Sequence, residues 1–337
     1  MYPFIVCWRG LFLIKIIFIV IGTFVGAGFA SGKEVMLFFF QHGYLGIIGI
    51  ITSSCFIGVV LYKTIRICQN EHIDKYDQFV NHIFKYNLTK ILIKKWISFF
   101  LLISFSVMIS GFCSFSKQEF FIEKYVSFFI IILICIYAFN KKIDTVMYLS
   151  NILVPIIIFF VVYFTLKNFT TNIDTSKLFD TKNNYFFIIH AILYCNYNLL
   201  SIIPITIMVS SAICQKKQAF YLSILCAIII LILSCCIFFL LNNLSVQDLN
   251  LDFPIVRATE VSKKSYKNIY CMIIAFSIVT TAISVGYTYI ENKKSKLIWL
   301  FFFSFIAIQF PFSQLLEFLY PICGLIGFLQ SYYIIKK

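Results

Sequence analysis

IGTFVGAGFASGKE, residues 21–34, is the stretch of this chain that decides its fold. Four of the chain's 13 glycines fall within it, at Gly22, Gly26, Gly28 and Gly32. Each glycine inside a helix costs up to about 1 kcal/mol relative to alanine, so the cluster makes local unwinding cheap. Close packing against another helix is the alternative, because the glycines also fit the small-xxx-small pattern. The long apolar run on both sides of the cluster favours a break in a membrane helix.

The composition indicates a multi-pass membrane protein. Of the 337 residues, 61% are hydrophobic and only 12% are charged, and the mean hydropathy is +0.93. A soluble domain of this size could not hide that much apolar surface, and disordered chains have the opposite composition. The net charge of +14 would suggest nucleic acid in a soluble protein, but here the basic residues lie mainly between apolar runs. That pattern is typical of cytoplasmic membrane loops, so we expect no nucleic-acid partner.

Ten apolar runs are predicted to cross a bilayer as helices, for which a span needs roughly 20 apolar residues. The predicted spans are, in order, residues 11–40, 42–67, 91–116, 120–139, 145–166, 185–211, 219–241, 266–290, 297–310 and 312–335. Most of the 28 Lys and Arg residues fall on the side of the two termini, which predicts that both termini are cytoplasmic. We expect one transmembrane domain, residues 1–337, in a bacterial cytoplasmic membrane, with an uncleaved first span.

The spans divide into two halves of five, residues 11–166 and residues 185–335. Because five is odd, the second half begins on the opposite side of the membrane, which is the geometry of inverted repeats. In such folds the first helix of each half is interrupted near the midplane. Span 6 carries Asn196 and Asn198 at membrane depth and Pro204 beyond them, which predicts an interruption. A simple proline kink, with the asparagines bonded to neighbouring helices, is the alternative.

Span 8 carries hydroxyl side chains on one helix face. Ser277, Thr281 and Ser284 follow at intervals of four and three, and Thr280 adjoins their face. Hydroxyl oxygens are hard ligands that suit a small alkali cation. Hydrogen bonds from these side chains to their own helix are the alternative.

Two motifs resemble a known family. Residues 20–34 (VIGTFVGAGFASGKE) are similar to the opening of the YkvI-like bacterial membrane proteins, and residues 280–284 (TTAIS) are similar to span 8 of that family. The family is grouped with amino-acid permeases of the amino acid–polyamine–organocation superfamily, which have the LeuT fold. The resemblance implies an all-α integral membrane protein of two inverted five-helix repeats, with helices 1 and 6 interrupted.

The resemblance also implies a set of ligands. In sodium-coupled members the break in span 1 reads Gly-x-x-Val-Gly-x-Gly, which matches residues 22–28 of this chain. The implied Na⁺ ligands are the carbonyls of Gly22, Val25 and Ser277 and the hydroxyls of Thr280 and Thr281. The implied solute-binding residues are Ala27 and Gly28, whose N–H groups would bind a carboxylate, with Phe29, Tyr194, Asn196 and Asn198. Phe29 stands where some members have an asparagine that holds a second sodium, so we expect one sodium site.

Glu34 and His190 are the candidates for proton transfer or gating. Ionisable residues at membrane depth are functional candidates by default, and we place Glu34 near the outer vestibule. His190 lies one turn before the predicted interruption of span 6 and could carry protons near neutral pH. A local interfacial pair for Glu34 and a hydrogen-bonded core position for His190 are the alternatives.

The residues and the resemblance together predict a secondary active transporter. The expected activity is Na⁺-coupled symport of an amino acid or a similar carboxylate-bearing solute, with the solute and the lipid bilayer as partners. A proton-coupled permease is one alternative, and a non-transporting nutrient receptor subunit of the spore-germination type is another. We expect no enzyme activity, and no cofactor or metal beyond the coupling ion, because the chain has no GxSxG, HExxH or CxxC motif.

Overall fold

The apolar runs fold into helices, as they must where no water can satisfy the backbone. The computed structural model describes residues 2–140, 143–168, 186–260, 264–290 and 296–337, and these residues contain no strand. The helices are α1 (Tyr2–Phe24), α2 (Ala27–Ser31), α3 (Lys33–Phe38), α4 (Tyr44–Glu71), α5 (Tyr76–Ile83), α6 (Asn87–Phe120), α7 (Lys124–Asn140), α8 (Ile143–Asn168), α9 (Phe186–Ser210), α10 (Lys216–Asn242), α11 (Val246–Leu249), α12 (Pro254–Glu260), α13 (Lys264–Ile290), α14 (Lys296–Ala307) and α15 (Phe312–Lys336). A short 3₁₀ turn, Phe40–His42, follows α3.

The ten predicted spans correspond in order to helices of the structure. Seven helices of the described part are long and apolar enough to cross a membrane, namely α4, α6, α8, α9, α10, α13 and α15. The apolar part of α1 (Leu13–Phe24), together with α7 and the Leu297–Ala307 part of α14, supplies three shorter apolar helices. The multi-pass, all-α fold is therefore confirmed. Residues 169–185 lie outside the described residues. They include most of the polar segment between the halves and the first residue of the second half.

The helix contacts show the symmetry expected of two repeats. Helix α1 packs against α8, and its counterpart five spans later, α9, packs against α15. Likewise α9 contacts α4 while α1 contacts α10, and α14 contacts α6 while α13 contacts α7. Each of these pairs becomes another observed pair when five spans are added. This pattern supports the inverted five-helix repeats, whose exact bounds stay a prediction.

Span 1 is interrupted at the glycine cluster, as predicted. Helix α1 ends at Phe24, and Gly26 then adopts an extended conformation with φ −92° and ψ −171° before α2 begins. A second turn follows at Gly32, whose φ of +86° lies in the left-handed region that favours glycine. The chain then enters α3, so two short helices, α2 and α3, follow the break.

Span 6 is not interrupted, and that prediction was wrong. Helix α9 runs without a break from Phe186 to Ser210, with Pro204 inside it. The amide groups of Asn196 and Asn198 donate to the carbonyls of Ile192 and Tyr194 four residues earlier in the same helix. The helix contains no glycine to make its unwinding cheap, and the amide N–H groups of both asparagines have partners within it.

Candidate functional site

The break in span 1 turns two backbone carbonyls towards span 8. In a regular helix the N–H of Gly26 would bond to the carbonyl of Gly22, but here it bonds to Phe24 at 3.0 Å. The hydroxyl of Thr281 donates to the carbonyls of Gly22 and Val25, at 2.9 Å each. The hydroxyl of Ser277 donates to Val25 at 2.6 Å. The structure therefore brings three of the five predicted Na⁺ ligands together, the carbonyls of Gly22 and Val25 and the hydroxyl of Thr281. Ser277 adds its hydroxyl in place of the predicted carbonyl.

The hydroxyl face of span 8 is directed at span 1 along its length. Beyond Ser277 and Thr281, the Ser284 hydroxyl forms a hydrogen bond of 2.6 Å with the hydroxyl of Thr23. Thr280, the fifth predicted ligand, instead donates to the carbonyls of Phe276 and Ser277 in its own helix, both at 3.0 Å. The face predicted from the spacing is thus present, and Thr280 follows the alternative of bonding to its own helix.

The N–H groups after the break have partners within the protein. Ala27 donates to the sulfur of Met108 in α6, at 3.3 Å. Phe29 donates its N–H to the carboxylate of Glu34. That carboxylate lies directly over Gly28, because a Cβ added to Gly28 would meet the Cγ of Glu34 at 2.8 Å and its Cδ at 3.0 Å. Glu34 therefore lies beside the place predicted for the carboxylate of the solute and takes the N–H of the next residue, Phe29.

Glu34 is buried, although we expected it near the outer vestibule. Its side chain is 3% exposed, and the hydroxyl of Tyr197 donates to its Oε2. The left-handed turn at Gly32 sends α3 back over α2, and this reversal brings the carboxylate inward. Its neighbour Lys33 has a different environment, since its Nζ donates to the carbonyl of Leu249 at 2.9 Å.

The ring of Tyr197, whose hydroxyl contacts Glu34, packs against three other aromatic rings. The ring of Tyr197 stacks on Tyr320 at 4.5 Å between centroids and on Phe38 at 5.5 Å. Tyr194 meets Tyr197 edge-on at 5.6 Å and lies 5.6 Å from Phe38. All four side chains are at least 96% buried. We call Phe38, Tyr194, Tyr197 and Tyr320 the aromatic cluster; its members come from spans 1, 6 and 10.

The predicted solute ligands on span 6 divide between two faces. Tyr194 faces span 1 beside Tyr197, which was not among the predicted ligands, and Tyr194 also lies 6.3 Å from Phe24 between ring centroids. Asn196 lies about 160° around the helix from Tyr194, given about 100° per residue. Its backbone packs against Gly327 of α15, where an added Cβ would meet the Asn196 carbonyl carbon at 2.9 Å. The structure therefore separates Asn196 from the break. Phe29 lies beside the break, and its ring centroid is 4.9 Å from that of Phe24.

His190 closes one end of the site. Its Nδ1 lies 2.8 Å from Nε2 of His42 and 3.0 Å from the amide nitrogen of Gln41. The His190 ring also meets Phe38 of the aromatic cluster edge-on at 6.1 Å. This contact joins the end of span 1 to span 6, which suits the gating role considered for His190.

Sequence reasoning missed several residues of the site. Met108, Phe38 and Tyr320 are all at least 97% buried there, and none was singled out beforehand. Each is a common apolar or aromatic residue in a membrane span, so its type carries no signal, and only the packing of spans 3 and 10 on span 1 places it.

The comparisons with known proteins agree with this architecture. No family model matches the chain. The chain is 22% identical over 329 residues to the uncharacterized membrane protein YkvI of Bacillus subtilis (strain 168), covering 93% of this chain and 92% of that one. This similarity along nearly the whole chain confirms the resemblance inferred from the motifs.

Solved structures of a manganese transporter from Eremococcus coleocola share the fold. One, of a mutant of that transporter, has a TM-score of 0.56 at 10% identity and covers 94% of this chain and 70% of that one. Another, in complex with an aromatic bis-isothiourea substituted compound, has a TM-score of 0.58 at 13% identity and covers 98% and 72%. The chain is therefore a multi-pass membrane protein that is similar to YkvI along nearly its whole length and shares the fold of these solved transporter structures.

Proposed function

We propose that this protein is a secondary active transporter that couples the movement of a small organic solute to Na⁺. The observation that carries the proposal is the pair of carbonyls, Gly22 and Val25, that the break turns towards the hydroxyls of Ser277 and Thr281. Carbonyl and hydroxyl oxygens are hard, neutral donors, and a cluster of them suits a cation of single charge.

The ion would bind by exchange with hydrogen bonds. In this structure the hydroxyls of Ser277 and Thr281 donate to the carbonyls, and both side chains are at least 97% buried. When their O–H groups rotate away, the same oxygens present lone pairs to a cation between spans 1 and 8. The ion then holds the broken helix against span 8, and this contact is the coupling element.

The helix contacts support alternating access. Spans 1, 2, 6 and 7 contact one another through α1, α4, α9 and α10. Spans 3 and 8 contact each other through α6 and α13. Rocking of the first group against the second would open the break to either side of the membrane, and the ion would connect the two groups across the Thr281 contact.

The solute is proposed to bind beside Gly28 and Phe29. An amino acid is the class that the resemblance implies. A proton-coupled permease is the second candidate, because Glu34 is a buried carboxylate in hydrogen-bond contact with Tyr197 at the same place. Manganese is the ion named for the transporters of similar fold, and the neutral oxygens at the break favour an alkali ion over it.

Uptake into proteoliposomes tests the proposal. Labelled amino acids and amines are supplied with an inward Na⁺ gradient, then with K⁺ in place of Na⁺, then with an inward proton gradient. We expect Na⁺-dependent uptake that is lost when Ser277→Ala and Thr281→Val are combined. Uptake driven by protons alone would replace sodium coupling with coupling through Glu34. Ligand binding without flux under any gradient would favour the receptor function.

A further inference from the structure

Glu34 is a buried acid whose charge is not balanced by the part of the protein that the structure describes. Its carboxylate receives hydrogen bonds from the Tyr197 hydroxyl and the Phe29 N–H. The ion pairs of the described residues join other side chains, such as Lys267 with Glu119 and Lys94 with Asp77. Burying an unpaired carboxylate costs several kcal/mol, so such a group is either protonated or paired with a cation from outside.

The surroundings of Glu34 identify the kind of cation. Aromatic side chains bind organic ammonium ions through the negative faces of their rings. The rings of Phe38, Tyr194 and Tyr320 pack against the ring of Tyr197, whose hydroxyl contacts Glu34. A hard divalent metal prefers several oxygen ligands. In the described residues no group of three or more His, Cys, Asp or Glu side chains could hold a metal ion.

The position of Glu34 also bears on the carboxylate of an amino acid. The carboxyl group of Glu34 lies over Gly28, and it receives the N–H of Phe29. A carboxylate of the solute would have to displace a group of the same charge from this place. An amine without a carboxylate would instead find the negative group already in position.

We infer that the solute of this site is a small organic amine, whose ammonium group pairs with the Glu34 carboxylate and lies against the aromatic cluster. This inference rests on the proposed function only for the idea that a solute enters beside the break. The side chains of Glu34 and Tyr197 fix the ammonium end, and the rings of Phe38, Tyr194 and Tyr320 contact its carbon atoms. The ring–ring contacts observed here are exchanged for ring–ligand contacts when the amine binds.

A matched set of three probes tests the class of solute without any need for transport. Leucine carries an amine and a carboxylate, isoamylamine keeps the amine with the same carbon skeleton, and isocaproate keeps the carboxylate. Thermal unfolding of the purified protein in detergent is recorded with each probe over a concentration series, and with putrescine as a diamine. Potassium chloride is used to hold the ionic strength constant, because Na⁺ or a quaternary ammonium ion could compete with the amine for the site.

The expected result is stabilisation by isoamylamine or putrescine and none by isocaproate. Glu34→Gln, which keeps the shape and removes the charge, should weaken amine binding about 30-fold or more, as is usual when one partner of a buried charge pair is lost. Tyr197→Phe removes only the hydroxyl and should weaken it less. Thr64→Val is the control, since Thr64 is buried in α4 with its hydroxyl bonded to the Val60 carbonyl of its own helix, and the change should leave amine binding unchanged.

Three outcomes overturn the inference. They are stabilisation by leucine but not by the amines, amine binding that Glu34→Gln leaves intact, and the absence of stabilisation by every amine tested. Tighter binding of isocaproate to Glu34→Gln would show that Glu34 instead occupies a carboxylate site. The proposed function is tested separately. Amine binding without flux would support the amine as solute and contradict transport. Na⁺-dependent uptake of leucine would support transport and contradict the amine as solute.

Discussion

Replacement of Thr281 with valine separates an ion site from a structural contact. Valine has nearly the same shape as threonine, and position 281 is 3% exposed, so the change removes the hydroxyl with little effect on packing. The Val25 carbonyl keeps its bond from Ser277 at 2.6 Å. The Gly22 carbonyl loses the Thr281 hydroxyl. No helical N–H replaces it, because the N–H of Gly26, which would bond to it in a regular helix, bonds to Phe24.

The expected magnitudes come from this loss. One buried carbonyl without a partner costs about 1–3 kcal/mol, so Thr281→Val should unfold a few degrees below the wild type in KCl. If Na⁺ binds the native protein, a concentration of 100 times its Kd stabilises the wild type by about 2.7 kcal/mol. The variant should lose most of that sodium-dependent gain. The two effects add in NaCl, where the gap between wild type and variant is therefore widest.

Thermal unfolding in detergent measures both effects, with NaCl exchanged for KCl at constant ionic strength. Thr64→Val is the matched control, since Thr64 is fully buried in α4 and its hydroxyl bonds only to the Val60 carbonyl of its own helix, at 2.8 Å. It should lose a little stability and keep the whole sodium shift. A sodium shift that is equal in Thr281→Val and the wild type, or absent from the wild type, would mean that the span 8 hydroxyls are structural contacts only.

Three further substitutions test the packing around the site. Gly28→Ala places a methyl group against Glu34 and should destabilise the protein by about 1–3 kcal/mol. Thermal unfolding should show a smaller loss of stability when the same change is made in a Glu34→Ala background. Equal losses in both backgrounds would contradict the contact. Lys267→Met strands the carboxylate of Glu119, which pairs with Lys267 at 3.1 Å and is 2% exposed, and should cost about 3–5 kcal/mol; Lys267→Met with Glu119→Gln should recover most of it, and no recovery would count against the pair. Gly324→Ala would set a Cβ 2.9 Å from the backbone of span 6, so size-exclusion chromatography should show less monodisperse protein, and an unchanged profile would refute the close approach.

The sequence allowed prediction of those features that local physics determines. The apolar runs gave the spans because each is long enough to cross most or all of a bilayer. The cost of helical glycine placed the break within residues 22–28, and helical periodicity placed Ser277, Thr281 and Ser284 on one face. Each of these needs only residues that are neighbours along the chain or around one helix.

The features that sequence reasoning missed depend on contacts between spans. Asn196 and Asn198 were taken as a sign of unwinding, but an asparagine can bond to a carbonyl of its own helix, and composition does not show which it does. Glu119 has a 2% exposed side chain that pairs with Lys267 on another span, and a contact between spans is not visible in the sequence. Glu34 moves inward because of a left-handed turn at Gly32, whose direction the sequence does not contain.

The polar groups of the break are satisfied within the protein, and this bears on what a ligand must do. The carbonyls of Gly22 and Val25 accept hydroxyls of span 8, and the N–H of Phe29 is taken by Glu34. A broken helix inside a membrane is tolerated only where such groups are satisfied, so the hydrogen bonds of the break are complete without ion or solute, provided that Glu34 is protonated when no cation is bound. A ligand would therefore replace internal contacts when it binds. Only the difference in free energy between the ligand contacts and the internal contacts is then available to shift the conformation.

That arrangement suits a transporter better than a receptor. A transporter has to change its direction of opening both loaded and empty, and an empty site that left buried carbonyls unpaired would make the empty step costly. Here Thr281 and Ser277 supply such bonds at the proposed sodium site, and Tyr197 and Phe29 supply them around Glu34. A receptor that only reports occupancy has no such return step, so self-satisfaction of both sites is an independent reason to measure flux first.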